Sequence, residues 1–125
     1  MLFLAALLAA SGPPPLRLTK PRSRAYRTAL RRAAAAPADF AGHWVLATIG
    51  CGAECLQIAA IDRRTGRVVW FPPTLCCWPD SVMEPLIYRR GSRVLVTRGL
   101  LDERGTRATR RWRFDGRRFR RVTAG

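Results

Sequence analysis

A chain of 125 residues in which 48% are hydrophobic holds enough apolar material for one hydrophobic core, which excludes a multidomain architecture and disorder of the whole chain. Its 23 Lys and Arg residues against 8 Asp and Glu give a formal net charge of +15, and Lys20 is the one lysine. Two explanations stay open: the guanidinium groups form a surface for polyanions, or a GC-rich genome supplies Arg wherever any cation suffices.

The first ten residues, MLFLAALLAA, form an apolar run that is too short to span a bilayer and is followed by Ser11, Gly12 and three prolines. This pattern predicts a signal peptide over residues 1–10 with cleavage after Ala10, although no Lys or Arg precedes the run. No lipoprotein-type cysteine follows it, and no later segment reaches about 18 consecutive apolar residues. We therefore expect a periplasmic or secreted protein whose mature part has no transmembrane segment.

Residues 11–21 contain four prolines and no apolar periodicity, which predicts an extended linker without packed structure. Residues 22–36 (RSRAYRTALRRAAAA) are strong helix formers, and Pro37 ends the pattern. Tyr26 and Leu30 are the large residues on the apolar face of this predicted helix. A face this narrow favours docking of the helix on its own domain over binding to a membrane surface.

Short runs typical of β-strands follow the helix. They cover residues 43–49, 55–61, 67–71, 86–88, 93–97, 107–114 and 117–122. Turn sequences separate them at 62–66 (DRRTG), 89–92 (RRGS), 102–105 (DERG) and 115–116, where an Asp-Gly dipeptide is typical of a two-residue hairpin loop. Residues 72–85, rich in Pro and Cys, are expected to form a longer loop.

These patterns together predict an α+β fold. One N-terminal helix (22–36) is expected to pack on a mainly antiparallel β-meander of about six to seven short strands. The helix and the β-rich part (40–122) form a single domain over residues 22–125.

The four cysteines, Cys51, Cys55, Cys76 and Cys77, are an even set in a chain that we expect to be exported, which favours disulfide bonds. Zinc is disfavoured because the adjacent pair does not match the ligand spacing of common zinc sites. A ring between the adjacent Cys76 and Cys77 is the hardest pairing to build, so either Cys51–Cys55 alone or a cross-link between the two cysteine pairs is expected. Neither a metal nor another cofactor is predicted.

The segment DFAGHWVLATIGCGAEC at residues 39–55, followed by IAAIDRRTGRVVWFPP, combines several motifs. The combination resembles a family of uncharacterised small secreted bacterial proteins that carry a helix and then NFAGHY, WGCGxxC and IDxxTGxV motifs, and the resemblance covers residues 26–119. The matching positions are Phe40, Ala41, Gly42, His43, Gly50, Cys51, Gly52, Cys55, Ile61, Asp62, Thr65, Gly66 and Val68. The chain departs from the family at Asp39, Trp44 and Ile49, where the family has Asn, Tyr and Trp. The resemblance implies export and one domain, and it implies no reaction.

His43 is the only histidine, so a catalytic group with a cysteine or serine nucleophile would have to use it. Its obvious partner is Cys51, but eight residues of extended strand would separate the two by roughly 25 Å, beyond hydrogen-bond reach. The acidic residues fall mostly in predicted turns, where carboxylates accept backbone N–H bonds, which disfavours a paired-carboxylate site. The sequence favours binding over catalysis and assigns no catalytic residue, with a small hydrolase using His43 as the last alternative.

The C-terminal stretch RATRRWRFDGRRFRRV has the highest density of basic and aromatic residues. Alternation predicts a strand face that is almost wholly cationic, whereas Trp112, Phe114 and Phe119 fall at core positions. The anion-binding candidates are Arg107, Arg110, Arg111, Arg113, Arg117, Arg118, Arg120 and Arg121. We predict an exported small basic binding module for an anionic partner, either an envelope polymer or an acidic protein. The alternative is a nucleic-acid-binding protein, because interleaved Arg and aromatic residues suit single strands.

Overall fold

The computed structural model describes residues 14–123. The predicted signal peptide (1–10) lies outside the described residues, as do residues 11–13 of the predicted linker. Within the described range, two short helices precede eight strands. The helices are α1 (Pro21–Ala25) and α2 (Arg27–Ala34), and the strands are β1 (Trp44–Gly50), β2 (Cys55–Asp62), β3 (Val68–Trp70), β4 (Leu75–Cys76), β5 (Leu86–Ile87), β6 (Val94–Leu101), β7 (Arg104–Phe114) and β8 (Phe119–Arg121). No helix between residues 14 and 123 is long and apolar enough to cross a membrane.

The eight strands join one antiparallel sheet, which confirms the predicted α+β class and the mainly antiparallel pairing. The strand order is β1-β2-β4-β6-β7-β8, with β3 beside β2 and β5 beside β6. The strand count is slightly higher than predicted, because β4 lies in the segment 72–85 that the sequence predicts to be a loop. Cys76 of β4 pairs with Cys55 on one side and with Leu100 on the other. This short strand therefore lies between the β1–β2 hairpin and the β6–β7 hairpin. The strand order thus departs from that of a simple meander, in which each strand lies beside the next one in the chain.

The predicted single helix over 22–36 is divided into two helices at Tyr26, whose φ of −109° and ψ of 24° are not helical. Three side chains around this break contact Trp70 of β3. Ser23 Oγ accepts a hydrogen bond from Trp70 Nε1 at 3.0 Å, and the Arg22 guanidinium carbon lies 4.1 Å from the Trp70 ring centroid. The Tyr26 ring meets the same indole edge-on at 6.0 Å. We attribute the break to these contacts, which override the high helix propensity of the segment.

Strands β1 and β2 are packed on both faces. Successive side chains of a strand point to opposite sides, so alternate residues enter two different clusters. On one face, Trp44 and Ile58 enter the main core. On the other, the small side chains of Ala47 and Ala59 allow α2 to approach and bury Leu30 completely. Full burial of a leucine side chain contributes roughly 1.5–3 kcal/mol. The main core contains Phe40, Ala41, Trp44, Leu46, Ile58, Ala60, Val69, Phe71, Leu75, Leu95, Phe114 and Phe119.

Residues 14–20 of the predicted linker have no regular secondary structure, yet they pack against the sheet. Leu16 and Leu18 contact the cluster between α2 and the sheet, and Arg17 N donates a hydrogen bond to Gly66 O at 2.8 Å. This close approach requires glycine, because a Cβ atom on Gly66 would collide with the Pro15 carbonyl. The prediction of a linker without packed structure is therefore wrong for this part of it.

The loop between β7 and β8 is longer than predicted. Phe114 pairs directly with Phe119, so four residues, 115–118, form the loop in place of the two-residue Asp115-Gly116 turn. The Asp115 carboxylate explains the difference, because its Oδ1 accepts hydrogen bonds from the backbone N–H groups of residues 117 and 118 at 2.8 and 2.9 Å. These bonds stabilise the wider loop in the way that short acidic side chains stabilise turns.

Candidate functional site

Three arginines of the C-terminal hairpin lie on one side of the sheet, and we call this set, Arg111, Arg113 and Arg120, the arginine face. Arg113 is the direct cross-strand partner of Arg120, and Arg111 lies two residues before Arg113 on the same side of β7. All three are exposed. Residues two apart on a strand are separated by about 6.6–6.8 Å. The three arginine side chains therefore leave the backbone at short and regular spacing.

The arginine face carries more positive charge than its surroundings neutralise. Within the described chain, Arg120 is the one arginine in an ion pair with a carboxylate, at 3.4 Å from Asp115 Oδ2. Like charges placed directly opposite on neighbouring strands destabilise a sheet. The Asp115 carboxylate offsets part of this repulsion at Arg120, and a bound anion would offset more of it.

Two of the predicted anion-binding arginines point to the inner side of the hairpin. Arg110 donates hydrogen bonds to the carbonyl oxygens of Gly99 at 3.0 Å and Thr106 at 2.9 Å. The Arg121 guanidinium carbon lies 5.6 Å from the centroid of the inward-facing Trp112 ring. These two cations are occupied by contacts within the fold.

Three further candidates lie at the ends of the hairpin. Arg107 is exposed near the start of β7, and Arg117 and Arg118 belong to the β7–β8 loop. The backbone N–H groups of Arg117 and Arg118 hold the pKa of Asp115 below its ordinary value, with smaller contributions from nearby guanidinium charges. Asp115 thus stays ionised at neutral pH. The structure brings together only part of the predicted set on one face.

The aromatic residues of this hairpin point away from the arginine face. Phe114 is fully buried and Phe119 is buried, so both belong to the main core. Trp112 is half-buried, and its Nε1 donates a hydrogen bond to the buried Thr97 Oγ1 at 3.0 Å. The outer side of the hairpin therefore presents arginine, while its aromatic rings serve packing.

The structure contains two disulfide bonds, Cys51–Cys55 and Cys76–Cys77, which confirms the prediction of disulfides. The expected Cys51–Cys55 bond is present. The expectation that Cys76 and Cys77 do not bond to each other is wrong, because these adjacent cysteines form the ring that spacing disfavours, and the two pairs, all within the described chain, are not cross-linked. Cys76 is held in the sheet on both sides, and Cys77 adopts a left-handed backbone with φ of 59°, so the chain turns sharply where the ring forms. Since Cys55 and Cys76 are cross-strand partners, both disulfides lie at the same end of the sheet.

The only histidine lies at the opposite end of β1 from Cys51. His43 Nε2 is 3.2 Å from Asp62 Oδ1, which also accepts a hydrogen bond from Arg64 N at 2.8 Å. This contact fastens the start of β1 to the end of β2. The cysteine–histidine pair of the hydrolase alternative does not form, because Cys51 is bonded to Cys55 and follows the far end of the strand.

The other residues of the family-like motif have structural roles. Phe40 is fully buried in the main core. Gly42, with φ of 89°, donates its N–H to Arg90 O at 2.7 Å and so connects the turn before β1 to the loop before β6. Gly50 ends β1, and Gly52, with φ of 127°, lies in the loop that the first disulfide closes. None of these contacts requires a bound ligand.

A cavity of 680 Å³ lies between β5 and the ends of β1 and β2. Its lining includes Asp39, Glu84, Tyr88 and Arg89, so it carries charges of both signs. Burial raises the pKa of the Asp39 carboxyl, and the hydrogen bond from Leu46 N at 2.9 Å opposes this effect. Burial also raises the pKa of Tyr88, with a contribution from the nearby Asp39 charge. The sequence did not indicate this cavity, because its lining comes from segments far apart in the chain.

Within the described residues, no group of three or more His, Cys, Asp and Glu side chains is placed to hold a metal ion. Comparison with protein-family models, with curated proteins and with solved structures finds no match. The resemblance to a family of secreted proteins therefore stays a prediction. The functional proposal depends on the geometry of the arginine face.

Proposed function

We propose that this protein is an exported basic binding protein that engages an anionic envelope polymer through the arginine face. The observation that carries the proposal is the direct cross-strand pairing of Arg113 with Arg120 beside Arg111, where Arg120 alone forms an ion pair within the described chain. A GC-rich genome accounts for Arg in place of Lys, but it does not account for two cations placed opposite each other. Guanidinium groups bind phosphate, sulfate or carboxylate oxygens in bidentate geometry.

A repeating polyanion fits the arginine face better than a folded acidic protein does. Regular spacing along two strands suits a chain of repeating charges, whereas protein interfaces depend on buried aromatic anchors at their centre. The aromatic residues of the hairpin pack in the core. The same inward packing makes single-stranded nucleic acid the weaker candidate, because bases stack on exposed rings.

Export is the second part of the proposal. Two disulfide bonds are typical of proteins that fold in oxidising compartments, and the apolar run at residues 1–10 is typical of signal peptides. The proposed location is the periplasm or the exterior of the cell, where anionic envelope polymers lie.

The proposal is tested with two double variants that remove equal charge. Arg111→Gln with Arg113→Gln removes the two arginines of the face that have no ion pair, and Arg31→Gln with Arg32→Gln removes two exposed arginines of α2. Binding of heparin, a model anionic polysaccharide, is measured at constant salt. We expect the face variant to bind about tenfold more weakly and the helix variant to change by less than about threefold. Equal losses of affinity in the two variants would show that heparin binding depends on net charge alone.

Two further ligands distinguish the kinds of partner. A single-stranded oligonucleotide and poly-glutamate, matched to heparin in total charge, are measured with the same variants. We expect the oligonucleotide to bind no more tightly than heparin, because the arginine face has no exposed aromatic ring on which a base could stack. Tighter oligonucleotide binding that the face variant abolishes would favour the nucleic-acid alternative, and preference for poly-glutamate would favour an acidic protein.

A further inference from the structure

A second basic surface lies away from the arginine face, in a cleft of 270 Å³. Four cations line it: Arg17 and Lys20 from the segment before α1, Arg67 from the turn before β3, and Arg117 from the β7–β8 loop. We call this set of four the basic cleft. Thr19, Val68 and Val69 complete the lining, and none of the lining residues is acidic.

The backbone beneath the basic cleft is held in place by hydrogen bonds and packing. Arg17 N donates to Gly66 O at 2.8 Å, which places the bases of Arg17 and Arg67 close together. Arg67 N also donates to Thr65 Oγ1 at 3.2 Å, and the Asp115 carboxylate accepts Arg117 N at 2.8 Å. Three separate segments are thus fixed around one cleft.

The positive charges of the basic cleft are not neutralised within the described chain. None of the four cations forms an ion pair, since the pairs between residues 14 and 123 are His43–Asp62 and Arg120–Asp115. Cations that share one concave surface add their potentials there, which raises the local concentration of anions. The fold therefore places four cations around this cleft, and none of them forms an ion pair with a carboxylate of the described chain.

From this arrangement we infer that the basic cleft binds a single tetrahedral oxyanion, a phosphate or sulfate group. Arg17, Arg67 and Arg117 offer planar donor forks, and Lys20 adds a compact charge. Thr19 supplies a hydroxyl donor, and Val68 and Val69 contribute an apolar wall. The cleft volume lies just below the roughly 300–1,000 Å³ of pockets that hold drug-sized ligands. A cleft of this size suits one phosphate or sulfate group and a small part of the molecule to which the group is attached.

This inference does not rest on the proposed function, because the basic cleft and the arginine face share no residue. The site is discrete, so its binding is expected to saturate at one anion per chain, whereas a polymer on the arginine face contacts several cations together. The ligand is either free inorganic phosphate or sulfate, or the same group carried by a larger molecule such as a phosphomonoester or a lipid headgroup.

The test is calorimetric titration of the full chain at low salt with inorganic phosphate, inorganic sulfate, glycerol phosphate and vesicles that contain phosphatidic acid. The cleft variant is Arg67→Gln with Arg117→Gln, and the matched control is Arg31→Gln with Arg32→Gln. We expect one-to-one binding that weakens about tenfold or more in the cleft variant and changes by less than about threefold in the control. Preference for glycerol phosphate or for the vesicles over inorganic phosphate would identify a carried group as the ligand.

A second measurement locates the site without depending on any variant. Titration of the isotope-labelled protein with phosphate is followed by backbone amide chemical shifts. Shifts concentrated at residues 17–20, 66–69 and 116–118 are the expected result. The inference is overturned if no phosphate or sulfate compound saturates the protein, if the control loses as much affinity as the cleft variant, or if the shifts centre on another region. If the cleft variant loses phosphate binding but still binds heparin, the basic cleft and the arginine face are separate sites, and each proposal stands or fails by itself.

Discussion

Gly66 controls the packing of the N-terminal segment on the sheet. Its φ of +79° is a conformation that other residues rarely adopt, and a Cβ atom would collide with the Pro15 carbonyl. We predict that Gly66→Ala lowers the free energy of unfolding by more than about 1 kcal/mol. Urea denaturation of the variant and the wild type measures this difference.

Gly91→Ala is the matched control for this substitution, because a Cβ atom on Gly91 has no neighbour within 4 Å and its φ lies outside the positive range. The control is expected to change stability by no more than about 0.5 kcal/mol. Equal effects of the two substitutions would contradict the packing of residues 14–19 described above. Since Gly66 also positions Arg17, the Gly66→Ala variant should lose phosphate affinity at the basic cleft.

Asp39 is a half-buried carboxyl whose pKa is raised by burial from its ordinary value of 3.8. A carboxyl with a raised folded pKa binds its proton more tightly in the folded state, so its contribution to stability is largest at low pH and is lost as pH rises through the folded pKa. We predict that Asp39→Asn, which keeps an acceptor for Leu46 N, is more stable than the wild type at pH 7. The gap should close at about pH 3, where both chains are neutral at this position. Thermal unfolding at both pH values tests this, and a variant that is less stable by the same amount at each pH would count against burial as the cause.

The contact between α1 and β3 includes one buried hydrogen bond. Trp70 Nε1 donates to Ser23 Oγ, and both side chains are buried. Ser23→Ala leaves the indole N–H without its partner, so we predict a loss of about 1–3 kcal/mol of unfolding free energy. In a Trp70→Phe background, where no N–H remains to be satisfied, the same Ser23→Ala change should cost markedly less. Additive costs in this double-mutant cycle, within about 0.3–0.5 kcal/mol, would show that the two side chains do not interact.

The disulfide pattern is directly measurable by mass spectrometry of a tryptic digest under non-reducing conditions. Arg63, Arg64 and Arg67 separate the two cysteine pairs, so each disulfide remains within its own peptide. We predict two internally bonded peptides, each lighter by about two hydrogens than its reduced form. A peptide that joins Cys55 to Cys76 would contradict the pairing, although these residues are close enough in the sheet to be cross-linked.

The long strands were predictable because alternation continues over enough residues to be recognised. The predictions for β1, β2 and β7 agree with the structure to within about three residues. By contrast, β4 has two residues, Leu75 and Cys76, which is too short for a period, and the prolines before it indicate a loop. The break at Tyr26 was not predictable either, because it depends on Trp70, 44 residues further along the chain.

The net charge and the alternation in β7 predicted a cationic strand face, and Arg111 and Arg113 do lie on it. The same alternation places Arg110 on the side of Trp112 and Phe114, so the sequence alone separates it from the face, and the structure adds the carbonyl oxygens that its guanidinium group contacts. The basic cleft, by contrast, could not be predicted from the sequence. Its four cations come from three distant segments, and the fold alone brings them together.

A net charge of +15 attracts any polyanion, so affinity by itself does not show that the protein has a dedicated binding surface. The salt dependence of binding is more informative, because the slope of log affinity against log salt concentration reports the number of cations that contact the polymer. Cations that contribute only to the overall field displace few counterions from the polymer, so their removal changes the slope little.

In the proposed complex, Arg111 and Arg113 contact the polymer directly. The measurement that tests it is the salt slope of heparin binding for the wild type, for Arg111→Gln with Arg113→Gln, and for Arg31→Gln with Arg32→Gln. We predict that the face variant lowers the steepness of the slope by about 1–2 and that the helix variant leaves it within about 0.3 of the wild type. Equal slopes for the two double variants would show that Arg111 and Arg113 do not contact the polymer.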